Sequence, residues 1–101
     1  MPVDLDPGVR ALIARVLARH PDVRGAILFG SRAKGSARPS SDIDLALEGP
    51  TSLLAVARIA GELDELPSPL RFDVQALDAI THPGLREHVA RVGVRIYERA
   101  S

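Results

Sequence analysis

One stretch decides how this chain reads: Leu28-Phe29-Gly30-Ser31-Arg32-Ala33-Lys34-Gly35-Ser36-Ala37-Arg38-Pro39-Ser40-Ser41-Asp42-Ile43-Asp44-Leu45. It opens on the end of an apolar run and closes on an alternating one, with a Gly/Ser/Pro-rich loop between. Gly30 has no side chain, so backbone N–H groups in its turn can approach an anion closely, and Ser31 adds a hydroxyl. Arg32, Lys34 and Arg38 bring three positive charges to the same loop. Asp42 and Asp44 stand two apart, so on a strand both carboxylates leave one face while Ile43 and Leu45 turn into the core. Two carboxylates that close repel unless a cation sits between them. Hard oxygen donors select Mg²⁺ or Mn²⁺, and Mg²⁺ characteristically takes one or two carboxylates plus phosphate oxygens. A phosphate cradle beside a carboxylate pair suggests metal-assisted phosphoryl or nucleotidyl transfer. No G-x-x-x-x-G-K-[ST] and no G-x-G-x-x-G occurs, which excludes a P-loop and a dinucleotide fingerprint.

Working outward, Val23 to Phe29 has the length and β-branched content of a strand, and Ile43, Leu45 and Leu47 alternate with Asp42, Asp44 and Ala46 as a second. The loop between them is too short for a helical crossover, so the two are expected to run antiparallel. Upstream, Asp6 caps a helix that starts at Pro7, carries Val9, Leu12, Ile13, Val16 and Leu17 on one stripe, and ends near His20-Pro21. Downstream, a helix from about Thr51 to Leu66 is expected to bury Leu53, Leu54, Ala57, Ile59, Ala60 and Leu63, stopped by Pro67 and Pro69. Arg71 to Leu77 reads as a third strand, Pro83 to about Val92 as a helix closed by Gly93, and Val94 to Tyr97 as a short last strand. The order α-β-β-α-β-α-β is an α/β (α+β) fold, a small mixed sheet covered by helices. On its strand Asp73 projects opposite to Phe72 and Val74, so a neighbouring strand could set it beside the Asp42/Asp44 pair as a third carboxylate.

Composition bounds the rest. A chain of 101 residues supports one core, so residues 1–101 are expected to form one domain. There is no Cys, which excludes disulfides and thiolate metal sites and fits a reducing compartment. With no apolar run of membrane-spanning length and no signal-peptide plan at the start, the expected location is the cytoplasm, with no membrane contact. Thirteen basic residues balance thirteen acidic ones, so direct DNA binding through a global field is not expected, and any polyanion must be gripped locally. Three aromatic residues, Phe29, Phe72 and Tyr97, are too few for a single-strand stacking platform. Among the basic residues only Lys34 is a lysine, and it stands in the glycine-rich loop. His20 reads as a cation at a helix end, His82 and His88 share no metal-ligand spacing, Glu48 reads as a solvated charge, and Tyr97 as a ring packed at the sheet edge.

Gly30-Ser31, then Gly35, then Ser41-Asp42-x-Asp44-Leu45, with Asp73 on a later strand, resembles the DNA polymerase beta-like nucleotidyltransferase superfamily, most closely its minimal nucleotidyltransferase (MNT) domain. The resemblance runs over essentially the whole chain. It implies that Asp42, Asp44 and Asp73 are catalytic and hold two Mg²⁺ ions, for which Mn²⁺ can substitute. It implies that Gly30 and Ser31 hold the β and γ phosphates of ATP, with Arg32 and Lys34 as further nucleotide-binding residues. A hydroxyl would attack the α-phosphorus, and pyrophosphate would leave. Many MNT domains are antitoxins paired with a HEPN-domain toxin, in some cases adenylylating a tyrosine of that toxin, so the resemblance implies the same partner and role. Two alternatives stand beside it: an antitoxin that neutralises its partner by occlusion without catalysis, and a nucleotidyltransferase for small molecules of aminoglycoside type. The acceptor, the base preference and homo-oligomerisation are open from the chain alone.

Overall fold

The computed structural model of the protein describes residues 5–36, 41–49, 52–67 and 70–99. Asp6 caps the first helix, α1 (Pro7–Ala18), its carboxylate accepting from the N–H groups of Gly8 and Val9 at 3.1 and 3.2 Å. Strand β1 (Gly25–Phe29) follows, then a four-residue helix α2 (Ser31–Lys34), β2 (Ile43–Glu48), α3 (Leu53–Asp64), β3 (Phe72–Ala76), a 3-10 turn at Leu77–Ala79, α4 (Pro83–Val92) and β4 (Val94–Glu98). The sequence reading holds for the order of the long elements. The sequence predicts a loop over the whole of Gly30 to Ser41, whereas α2 begins there directly after Gly30. Arg38 and Ser40 of that loop, Thr51 and Pro69 lie outside the described residues.

The four strands lie in the order β3-β2-β1-β4. Central β1 runs antiparallel to both neighbours, as the short β1–β2 joint requires, and β2 runs parallel to β3, with α3 as the crossover between them. Tyr97 lies on the edge strand β4 and packs half-buried against the core. One face of the sheet carries the larger core, where Ile13, Val16 and Leu17 of α1 and Ile59 and Leu63 of α3 meet Leu28, Ile43, Leu45 and Leu47. The other face is covered by α4 and the 3-10 turn, whose Val89 and Ile80 pack with Phe29 and Ala46. Ala46 is fully buried although it shares the face of the aspartates, because the 3-10 turn packs on β2 there beside α4 on β1.

Two sequence expectations are corrected here. In α3 the inward stripe is Val56, Ile59, Ala60 and Leu63, at i, i+3, i+4 and i+7, with Ile59 and Leu63 buried and Val56 and Ala60 half-buried, whereas Leu53 and Leu54 are 85% and 72% exposed and Ala57 is exposed. The Ser52 hydroxyl caps this helix by accepting from Ala55 N–H at 3.0 Å, and the first turn overhangs the core. His20 is not simply a cation at a helix end: its Nε2 lies 3.1 Å from the Glu62 carboxylate and so ties the end of α1 to α3. Among the described residues no helix is long and apolar enough to cross a membrane.

Candidate active site

β1 ends at Phe29, the register partner of Asp44 on β2, and Gly30 follows as the chain leaves the sheet. Across the parallel β2–β3 pair, Asp44 is in register with Asp73. Register partners on adjacent strands, about 5 Å apart, project on the same side. The two carboxylates therefore stand side by side on the face α4 covers, at the end of the sheet where that cover runs out. Asp42 precedes β2, because the ladder with β3 starts only at Ile43, whose N–H donates to the Arg71 carbonyl at 2.8 Å. Asp42 and Asp73 are exposed and Asp44 is half-buried.

Burial, then the Asp73 carboxylate and then that of Asp42, push the Asp44 carboxyl up to about 6 from 3.8. The ion pairs formed by the described residues join Arg19 and His20 to Glu62 and Arg95 to Glu48; none reaches the three aspartates. The site thus concentrates negative charge that no ion pair among the described residues neutralises. The three carboxylates lie within electrostatic reach of one another, yet among the described residues no three acidic or histidine side chains close around a common point.

The turn beside them is built closely. Gly30 has φ 75° and ψ −157°, a conformation essentially confined to glycine, and a Cβ at this position would overlap Asp44 Oδ2. Ser31, half-buried, begins α2, and Lys34 at its other end is exposed. Arg32 is buried, and its Nε and Nη2 donate to the Ser41 carbonyl at 3.0 and 2.9 Å, bracing the residue before Asp42. The structure therefore brings Gly30, Asp44 and Asp73 directly together, with Ser31 following Gly30 and Asp42 flanking Asp44; Arg32 faces inward and Lys34 outward. A concavity of about 760 Å³ lies at the opposite end of the sheet, by Arg24, Glu48 and Gly49, and none of these site residues lines it.

Residues 12–101 match the model of the family described as "Polymerase beta, Nucleotidyltransferase". The chain belongs to this nucleotidyltransferase family. It is 42% identical over 74 residues to the Haemophilus influenzae "Probable protein adenylyltransferase MntA", an alignment covering 70% of this chain and 63% of that protein's length. Among solved structures it resembles a candidate minimal nucleotidyltransferase at 34% identity, with a TM-score of 0.64 over 86% of this chain and 88% of the other. It also shares its fold with a chain of the Shewanella oneidensis structure of a tri-AMPylated HEPN toxin in complex with MNT antitoxin, at 20% identity and a TM-score of 0.68 over 90% of this chain and 71% of that one.

Sequence reasoning passed over one residue of this candidate site. His88 on α4 comes to the Gly30 turn from 58 positions away, its Nε2 accepting from Gly30 N–H at 3.1 Å. Its ring meets Phe29 edge-on, centroids 6.2 Å apart at 79°. The signal was its place on α4: His88 follows Leu85 by three and adjoins buried Val89, so a polar ring occupies the face turned to the sheet.

Proposed function

We propose that this chain forms one minimal nucleotidyltransferase domain over residues 1–101 and acts in the cytoplasm as a Mg²⁺-dependent adenylyltransferase. It transfers AMP from ATP to a tyrosine hydroxyl of a HEPN toxin and thereby serves as its antitoxin. The observation that carries this reading is the Asp44/Asp73 pair, in register on β2 and β3, pressed against the Gly30 turn and left without a cation by the described residues. The likeness to a protein adenylyltransferase and to an MNT antitoxin in complex with a HEPN toxin supports the chemistry and the partner.

The donor set fits a divalent metal. Burial and then the repulsion of Asp73 and Asp42 raise Asp44, a hard cation would relieve that cost, and phosphate oxygens would complete a coordination shell that the described residues leave open. Asp42, Asp44 and Asp73 would hold it, and when bound it supplies charge stabilisation to the attacking and leaving oxygens. The chain's own residues do the rest. Gly30 lets the backbone approach the β and γ phosphates, the Ser31 hydroxyl donates to them, and Lys34 reaches them from the surface. Arg32 adds positive charge from inside the turn while holding Ser41 in place. Asp73, exposed at the edge strand, receives the acceptor hydroxyl and favours its loss of a proton. The acceptor oxygen then bonds to the α-phosphorus, the α–β bridging P–O bond breaks, and pyrophosphate departs.

Incubation with Mg²⁺, α-labelled ATP and the HEPN partner is expected to label the partner, and Asp44→Asn to abolish labelling; labelling that persists in the variant overturns the reading. Occlusion without catalysis is favoured by one observation, the exposed Leu53 and Leu54 on α3, an apolar surface outside the site. Under that reading the Asp44→Asn protein neutralises the partner as well as wild type does.

A further inference from the structure

Gly30 is held from two sides. Its α-carbon lies against the Asp44 carboxylate, where no Cβ fits, and its N–H is taken by His88 Nε2 at 3.1 Å. Its backbone conformation is one that a free chain seldom visits, so something outside the turn must over-determine it. α4 supplies that constraint. His88 is half-buried and its ring is steadied edge-on by Phe29, the residue before Gly30 and the register partner of Asp44. A ring nitrogen that accepts carries no proton, so neutral His88 keeps its proton on Nδ1. The acceptor is thus presented by a well-packed helix, not by the loop itself.

We propose that His88 is a positioning residue for the phosphate-binding turn. By accepting from Gly30 N–H it fixes the Phe29–Gly30 peptide, the entry to the turn that carries Ser31, and sets the separation between the turn and Asp44. This rests on the nucleotide-binding role proposed for Gly30 and Ser31. The Gly30 N–H, being engaged by His88, is then not a phosphate donor; the turn offers the Ser31 hydroxyl and the amides that follow.

Two variants of the full chain separate the hydrogen bond from the packing. His88→Phe keeps a ring against Phe29 but has no acceptor, whereas His88→Gln places an amide oxygen near the position of Nε2 without the ring. His88→Phe is expected to raise the KM for ATP with Mg²⁺ about tenfold with kcat within threefold of wild type, the size of effect that follows from leaving one donor unpaired. His88→Gln is expected to stay within threefold in KM. Amide exchange at Gly30, followed by NMR, is expected to quicken about tenfold in His88→Phe and to remain slow in His88→Gln. A KM in His88→Phe equal to that of wild type overturns the inference, as does a loss in His88→Gln as large as in His88→Phe, which would make the ring's packing the point. If wild type itself neither binds nor uses ATP, the proposed function fails first. Gly30 exchange still decides the structural half, since an unchanged rate in His88→Phe overturns it.

Discussion

Strand β2 carries a half-buried carboxylate near each end and treats the two oppositely. At one end Glu48 pairs with Arg95 of β4, and the hydrogen bond from that guanidinium holds its carboxyl below the usual range. At the other, Asp44 faces Asp73 and Asp42, and burial together with these like charges pushes it up to about 6. Both lie on one strand, four residues apart and on the same face. Where the carboxylate lies in the surface pair, the fold supplies its counter-charge; at the candidate site, no ion pair among the described residues supplies one. The same contrast appears in β1. Gly25 at its start meets the Glu48/Arg95 pair, and Gly30 just past its end meets Asp44.

The largest expected effect comes from making the Asp44 end of the strand resemble the Glu48 end. Asp73→Lys gives Asp44 an internal cation, as Arg95 gives one to Glu48. Metal-assisted stabilisation is worth several kcal/mol, so transfer of labelled AMP is expected to fall about a thousandfold or more while the protein stays folded. An active Asp73→Lys enzyme would show that the uncompensated pair is not the working site.

Stability should move the other way. Asp44 titrates near 3.8 unfolded and about 6 folded, so below pH 4 it is protonated in both states and contributes nothing. Between pH 4 and 6 the unfolded chain gives up its proton while the fold retains it, and stability falls as pH rises; above 6 the full penalty persists. With allowance for its partial contact with solvent the penalty is about 1 to 2 kcal/mol. Asp44→Asn is therefore expected to be more stable than wild type at pH 8 and equal to it near pH 3.5 in urea titrations. Added Mg²⁺ at pH 8 should raise the melting temperature of wild type and leave that of Asp44→Asn unchanged.

This contrast also marks what the sequence could and could not tell. The aspartates were legible because period two places alternate residues on one face, and the antiparallel turn of β1 into β2 was legible from the length of its joint. Period does not report register: that Asp73 lies opposite Asp44, and not two residues away, depends on how α3 seats β3 against β2. Nor does it report what covers a face. Ala46 shares the face of the aspartates yet is buried in the cluster that the 3-10 turn and α4 close. Leu53 and Leu54 share an apolar run yet overhang the core. His88 and the Glu48–Arg95 pair are contacts across 58 and 47 positions, which no local pattern announces.

The glycines separate the two ends more finely. Gly30→Ala meets a left-handed φ and the Asp44 carboxylate at once, and is expected to destabilise the fold by about 1 to 3 kcal/mol and to weaken ATP binding, since the turn and Asp44 must part. Gly25→Ala has an ordinary backbone; the two atoms nearest its Cβ are the far ends of the Arg95 and Glu48 side chains, which can swing aside into solvent, and the Tyr97 carbonyl at 3.3 Å has to give by a few tenths of an ångström. Its expected cost is under about 1 kcal/mol, with ATP binding unchanged. Equal losses in the two variants, measured by denaturant midpoint, would erase the distinction between a glycine set by the site and one set by a surface pair.

The smallest expected effect belongs to the pair itself. Because Arg95 lowers the Glu48 carboxyl, the folded state gains from this pair above the ordinary carboxylate range and loses that gain as pH falls through the depressed value, the reverse of Asp44. Both side chains are in contact with solvent, at 41% and 30% exposure, so an ion pair of this kind is worth about 0.5 kcal/mol. Glu48→Gln is expected to lose that amount at pH 7 in low salt and nothing at pH 3, with transfer of AMP unaltered. High salt should shrink the difference, since exposed charges are screened. If Glu48→Gln instead impaired transfer, the two ends of β2 would be coupled, and the division of labour along the strand would have to be replaced by a network that spans the sheet.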